Sequence, residues 1–349
     1  MITIESKKIR EFLNKAGKIP ANKFITISDC VLIEADTVLS LTYTGLGGSV
    51  KQSFATDIQT PFSAVIDINI LGAIIQNGEM ATIARKDNCI TAKCGKNKIE
   101  LNVVDAPYTS LLNDDSKEQQ SVGAELIEAI AEASKVIDAT HPNPNMHNVH
   151  VSPVNGKIEI FSTNGFSMFV REIGTDFKSE VLLSKNMCNA ISQYSDIELS
   201  EDDGKIYFNT IDTLYAFNKP DANRIDYRDL LQRQKESAVD NGVLNITQLV
   251  AFSEQCKKLT PNKSFDVSLN NVSGKAQAVM TDVFLSITNS LELEAALSDG
   301  FSMFSFEPDK IIPALKQLNG EVSIRQTNGH IILSPVGDNT TTILFMGKK

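Results

Sequence analysis

Residues 161–171 read FSTNGFSMFVR and follow a run with strand character at 157–160. Thr163-Asn164-Gly165 is small and polar, which suits a tight turn. The bulky residues after it alternate as they do along a strand. The stretch therefore reads strand, turn, strand, and the chain around it repeats three times.

Working outward, the clearest repeating unit is a short helix followed by three strands. It occupies 68–75, then 80–84, 89–93 and 98–103, with turns at Lys86-Asp87-Asn88 and Gly95-Lys96-Asn97. The same order returns as a helix at 184–193 with strands at 197–200, 205–209 and 213–218. It returns again as 308–318 with 321–326, 330–334 and 340–346. Aligning Ala73-Ile74 with Ala190-Ile191 and Ala314-Leu315 gives offsets of 117 and 124 residues. An earlier amphipathic helix, 7–19 with Ile9, Phe12, Leu13 and Ala16 at helical spacing before Pro20, supplies a second anchor. Ile9, Leu126 and Leu249 are offset by 117 and 123, as are Ala16, Ala133 and Cys256.

Each copy is long enough to own a core, which excludes a solenoid unit. Each reads helix, strands, helix, strands. The expected class is α+β, three tandem domains with two helices packed on antiparallel sheets. Polar stretches at 113–120 (NDDSKEQQ) and 232–240 (QRQKESAVD) place the domains at 1–118, 119–236 and 237–349. Further strands are expected at 24–27, 31–33 and 38–43.

Composition sets limits on function. Of 349 residues, 42% are hydrophobic and 22% charged, which is globular. There is no long apolar run and no signal-peptide pattern, so no membrane association is expected. Five cysteines, an odd number without a Cys-x-x-Cys pair, argue for a reducing cytoplasm and against a disulfide framework or zinc site. The net charge of −10 excludes coating nucleic acid by bulk attraction but leaves room for a basic face.

Enzyme chemistry has few footholds. Gly45-Leu46-Gly47-Gly48 lacks the Lys-Ser/Thr of a phosphate loop and reads as a hairpin turn. His141, His147 and His150 crowd into HPNPNMHNVH at spacings that fit no familiar zinc pattern. Asp114-Asp115 and Asp202-Asp203 are turn acids. No cofactor, no metal and no catalysis are expected.

The order of these motifs resembles the bacterial DNA sliding clamp, the beta subunit of DNA polymerase III. Thr163-Asn164-Gly165 is similar to the family's middle-domain Ala-Thr-Asp-Gly, with Asn for Asp and Phe166-Ser167 for a following His-Arg. Residues 95–101 resemble its Gly-Lys/Arg-Ser strand, and Ala106-Pro107-Tyr108 stands at its Pro-Ala-x-x-Phe-Pro. Residues 223–228, NRIDYR, resemble Gly-Arg-Phe-Pro-Asp-Tyr-Arg. Leu344-Phe345-Met346-Gly347 is similar to the family's C-terminal Val-Val-Met-Pro-Met-Arg-Leu, here ending in Gly347-Lys348-Lys349.

The resemblance implies a processivity factor: a homodimeric ring around double-stranded DNA, without sequence preference, that tethers a replicative polymerase and a clamp loader. Geometry agrees with a dimer. Three balls of this domain size, each ~34 Å across, leave a hole of only ~5 Å, whereas six leave about 34 Å around a duplex roughly 20 Å wide. Lys18, Lys135 and Lys258 recur at matching positions near the end of the first helix. With Lys8, Arg10, Lys15, Lys23, Lys257, Lys310 and Lys316 they are the expected phosphate contacts. Single lysines there would equally complement a helix dipole, and Glu125, Glu128 and Glu132 oppose phosphate on the middle helix. By resemblance, Asn145, Met146 and His147 lie near the duplex edge. Thr163, Gly165, Phe166, Met168, Leu344, Phe345 and Met346 form a cleft for partner tails. Ile99, Leu101 and Leu259 form the dimer joint. The alternative function is a clamp-like scaffold that does not encircle DNA.

Overall fold

The computed structural model describes residues 1–21, 29–75, 79–102, 108, 112, 118–260, 265–282 and 287–347. The strand expected at 24–27 lies outside the described residues, as do Lys23, Ala106-Pro107, residues 113–117 with Asp114-Asp115, and Lys348-Lys349.

The first copy runs β1 (Ile2–Glu5), α1 (Ser6–Ala16), β2 (Cys30–Ala35), β3 (Leu39–Gly45), β4 (Gly48–Phe54) and β5 (Phe62–Asp67). It continues with α2 (Ile68–Ile74), β6 (Met80–Lys86), β7 (Cys89–Cys94) and β8 (Asn97–Asn102). The second has β9 (Gln120–Gly123), α3 (Ala124–Val136), a 3-10 turn (Pro144–His147), β10 (Asn148–Val154), β11 (Lys157–Thr163) and β12 (Ser167–Ile173). After these come β13 (Val181–Ser184), α4 (Lys185–Ile191), β14 (Asp196–Glu201), β15 (Lys205–Asn209) and β16 (Thr213–Asn218).

α5 (Arg228–Ser237) then precedes the third copy: β17 (Val239–Asn245), α6 (Ile246–Leu259), β18 (Val267–Val272), β19 (Lys275–Asp282) and β20 (Ile287–Leu293). It closes with β21 (Ala295–Leu297), β22 (Phe304–Phe306), α7 (Pro308–Leu315), β23 (Glu321–Thr327), β24 (His330–Pro335) and β25 (Thr341–Met346).

Local chemistry explains these elements. Ile9, Phe12 and Ala16 are the buried stripe of α1, and Gly17 caps it three residues earlier than the sequence suggests, its N–H donating to the Leu13 carbonyl. The Asp67 carboxylate caps α2 by accepting from the N–H groups of Asn69 (2.8 Å) and Ile70 (3.1 Å). The glycine-rich stretch is a hairpin turn, with Gly45 paired to Gly48. A side chain at Gly48 would meet the Phe217 ring at 2.6 Å, so glycine is needed for β4 to approach β16. Residues 232–240, polar in sequence, are regular in structure: α5 runs to Ser237 and β17 begins at Val239.

The chain divides into two compact units. One comprises Met1–Ala124 with Asn189–Lys219, and holds a four-stranded sheet β1-β6-β7-β8 and an eight-stranded sheet β5-β2-β3-β4-β16-β15-β14-β9. The other comprises Glu125–Cys188 with Pro220–Lys349. It holds a nine-stranded sheet β13-β10-β11-β12-β25-β24-β23-β17-β21 and a four-stranded sheet β20-β19-β18-β22.

The repeat is visible in these orders. The first half of each copy builds β5-β2-β3-β4, β13-β10-β11-β12 or β22-β18-β19-β20. The second half builds β1-β6-β7-β8, β9-β14-β15-β16 or β17-β23-β24-β25. Two joints connect copies, β4 with β16 and β12 with β25, both antiparallel.

Candidate partner cleft

The stretch 161–171 lies at the second of these joints. β12 pairs with β11 (Thr163 opposite Met168) and with β25 (Met168 opposite Leu344), and β25 pairs with β24 (Leu344 opposite Ile332). Strand side chains alternate between faces, so Phe161, Met168, Val170, Leu344 and Ile332 share one face. Tyr227 and Leu231, from the start of α5, complete a buried cluster with them. Phe161 and Tyr227 stack with ring centroids 3.6 Å apart.

The turn before β12 is held by its own polar side chains. Thr163 Oγ1 donates to the Ser167 carbonyl (2.8 Å) and accepts from the Gly165 N–H (3.1 Å). Asn164 Oδ1 accepts from the N–H groups of Phe166 (3.0 Å) and Ser167 (2.8 Å), while its Nδ2 donates to the Lys310 carbonyl (2.7 Å). That last bond is one an ionised aspartate cannot make, since it has no donor. The asparagine thus ties the turn to α7. Gly165 has φ +84, and a Cβ there would sit 3.4 Å from the Met146 sulfur.

Beside the cluster opens a cleft of about 190 Å³, lined by Met146, Phe166, Met168, Ile225, Tyr227, Leu230, His330, Leu344 and Met346 among others. An engineered apolar cavity of about 150 Å³ accepts benzene, so this one has room for a single aromatic ring. Its floor and rim differ in kind. Met168 and Leu344 are buried at 8% and 4% exposure, whereas Phe166 and Met346 stand open at 42% and 46%. Phe345 borders the cleft, but its ring packs edge-on against Phe304 and Phe306.

The wall formed by residues 225–231 is pinned by charge. Glu159, on β11, accepts hydrogen bonds from the Tyr227 hydroxyl and from Arg228 Nε at 2.8 Å. Burial, followed by this carboxylate, pushes the Tyr227 hydroxyl well above the usual phenol range. Asn145 Oδ1 accepts from the Asn223 N–H (2.8 Å), fixing where the wall begins. His150 packs edge-on against Phe161, and burial pulls its pKa down to about 4, so it is neutral.

The cleft residues expected from the sequence come together, and Met146, expected near DNA, joins them. Tyr227, Leu230, Ile225 and His330 were missed. Tyr227 and Leu231 at i, i+4 carried the signal for α5, which the polar reading of 232–240 obscured. The clustered histidines serve separate ends: His147 Nε2 donates to the His141 carbonyl (2.6 Å), and His141 Nδ1 accepts from the Asn143 N–H (3.0 Å).

The cations expected to meet phosphate are engaged to different degrees. Lys18 and Lys258 are exposed, as is Arg10, while Lys8 is half-buried. Lys15 reaches Thr213 Oγ1 at 2.7 Å and Asp212 at 3.8 Å, with its side chain only 12% exposed. Lys135 donates to Gln317, Lys257 pairs with Asp309 and Lys316 with Glu254. Lys310 lies over the Phe166 ring, 5.2 Å from its centroid. Glu132 is paired with Arg171 at 2.6 Å, while Glu125 and Glu128 stay exposed. Ile99 and Leu101 are half-buried on β8, and Leu259 is exposed at the end of α6.

No protein-family model matches the sequence, and no curated protein does. Solved structures do. The beta subunit of DNA polymerase from Streptococcus pyogenes superposes with a TM-score of 0.89 at 18% identity, covering 100% of this chain and 99% of that one. The chain has the fold of the bacterial DNA sliding clamp. The DNA polymerase sliding clamp of Bacillus subtilis gives a TM-score of 0.88 at 15% identity, over 100% of this chain and 98% of its own. A Caulobacter crescentus beta sliding clamp, with polyethylene glycol bound at a region assigned to beta-motif tethering, gives 0.86 at 15%, over 100% and 98%. The α+β class and the resemblance drawn from the sequence hold at the level of fold. Among the described residues no helix is long and apolar enough to cross a membrane, which says nothing of β-barrels.

Proposed function

We propose that this clamp-fold chain is a DNA polymerase processivity factor: three clamp domains, 1–118, 119–236 and 237–349, that dimerise into a ring around duplex DNA. The observation that carries the reading is a pair of leftover sheet edges. In each joint within the chain, the inner edge of a first half-sheet pairs with the inner edge of a second. β8 and β20 are the remaining inner edges, and among the described residues neither pairs outward. One chain has one first-half edge and one second-half edge left over, and a second copy related by a two-fold axis satisfies both.

The register follows from the repeat. Gly48, first in β4, pairs with Phe217, fifth in β16, and Ser167, first in β12, pairs with Phe345, fifth in β25. β20 and β8 have the same lengths as their counterparts. Ile287 then pairs with Leu101 of the partner subunit, and Asn289 with Ile99 of the partner subunit. Leu259 lies at the end of α6, which packs on β20.

Six domains leave a hole wide enough for a duplex, as three do not. Lys18, Lys135 and Lys258, with Arg10 and Lys8, supply phosphate contacts that read no sequence and permit sliding. The cleft beside β12 and β25 takes extended apolar tails of the replicative polymerase and the clamp loader, its methionines adapting to varied anchors.

Sedimentation tests the ring: the species expected is a dimer of twice the 38.2 kDa chain. Loaded on circular DNA, it should stay until the circle is cut. A monomer at micromolar concentration overturns the proposal.

A further inference from the structure

His330 opens β24 opposite Met346 and lines the cleft, yet its surroundings there are mostly apolar. Its Nδ1 is out of reach of solvent, and among the described residues no group meets it. A buried imidazole nitrogen without a partner is costly, so such an atom at a binding surface is a place where a ligand is read. Burial lowers the His330 pKa, so the ring is neutral, with one nitrogen to donate and one to accept. The terminal torsion of histidine is broad and roughly two-fold, and a half-turn exchanges Nδ1 with Cδ2. The nitrogen can therefore be presented on either edge of a ring that borders the cleft.

The other polar groups at the turn are already engaged. Thr163 and Asn164 are bonded to Ser167, Phe166 and Lys310, and the Tyr227 hydroxyl is held by Glu159. Asp226 also borders the cleft, on the wall before Tyr227, while His330 on β24 brings a buried imidazole nitrogen that is unpartnered among the described residues.

Resting on the reading of the cleft as the dock for partner tails, we propose that His330 determines specificity. It selects tails that place a side-chain hydroxyl or amide next to their apolar anchor. Such groups donate and accept, so they satisfy the ring in either tautomer. The apolar anchor supplies affinity, and His330 discriminates, because a tail with an isosteric apolar group leaves the nitrogen unpaired.

Threonine and valine are nearly equal in shape and differ by a hydroxyl, which makes them a matched probe. Fluorescein-labelled, alanine-based heptapeptides with one leucine and one phenylalanine anchor would carry threonine or valine at each remaining position in turn. Their affinities would be measured against the wild-type protein, His330→Leu and His330→Gln. At one position, the threonine-over-valine ratio should be greater by roughly fivefold for wild type than for His330→Leu, about one neutral hydrogen bond. His330→Gln should retain most of that difference. If the peptides bind wild type and are lost on Met346→Asp, but the ratio is the same in His330→Leu at every position, the role of His330 is refuted and the cleft stands. If no peptide binds wild type, or binding ignores Met346→Asp, the cleft reading fails and takes this proposal with it.

Discussion

Replacing either methionine of the cleft by aspartate should have opposite consequences, because one is floor and the other rim. Met168 is 8% exposed and packs with Phe161, Val170, Ile332 and Leu344, which offer a carboxylate no donor, and with Tyr227, whose hydroxyl is already given to Glu159. Removing a buried methionine costs about 2–5 kcal/mol before any charge is counted. Met168→Asp should therefore lose ~3 kcal/mol or more. At roughly 2–4 °C per kcal/mol for a body of this size, its melting should fall by about 6–12 °C. Met346 is 46% exposed, so an aspartate there keeps its water, and the stability cost should be about 1 kcal/mol or less. Its effect belongs to binding. A charge set beside an apolar anchor should weaken a micromolar tail by roughly tenfold or more. Thermal melting and fluorescence polarisation with the leucine- and phenylalanine-bearing heptapeptide read the two effects separately. Undiminished peptide binding by Met346→Asp, with the fold intact, would place the dock elsewhere.

Three further outcomes are expected. Leu101→Asp should convert the dimer to monomers without unfolding the chain, and cysteines placed at Ile99 and Asn289 should cross-link two chains; failure of both moves the joint. Exchanging Lys18, Lys135 and Lys258 together for glutamine should leave sedimentation unchanged but shorten retention on circular DNA, most clearly at low salt, and should make retention less salt-dependent; normal retention would make their recurrence a matter of helix ends. His150 binds its proton near pH 6.5 when unfolded but only near 4 when folded, because burial disfavours the charged ring. Its contribution to stability is complete above 6.5 and is lost as pH falls toward 4, on the order of 3 kcal/mol in all. Urea unfolding across that window should show the slope, and His150→Phe should flatten it.

The repeat was legible in the amino-acid sequence. Local periodicity is written residue by residue, so Ile9, Phe12 and Ala16 marked α1, and the strand pairs around Lys86-Asp87-Asn88 and Gly95-Lys96-Asn97 marked β6 to β8. FSTNGFSMFVR also announced its turn, because Thr163, Asn164 and Gly165 close it with bonds of their own. Sequence could not say which edge meets which. The joining of β12 to β25, separated by nearly half the chain, rests on pairing that no local pattern encodes, since any alternating strand offers the same donors and acceptors. That pairing alone sets Leu344 beside Met168, brings Ile332 and His330 alongside, and separates buried floor from open rim. The wall was hidden for a related reason. Tyr227 belongs to a largely polar segment, and only the distant Glu159 carboxylate and the Phe161 ring reveal why it is buried. That Lys15 meets Asp212 was likewise visible only in the fold, because a charge states its sign in the sequence but not its partner.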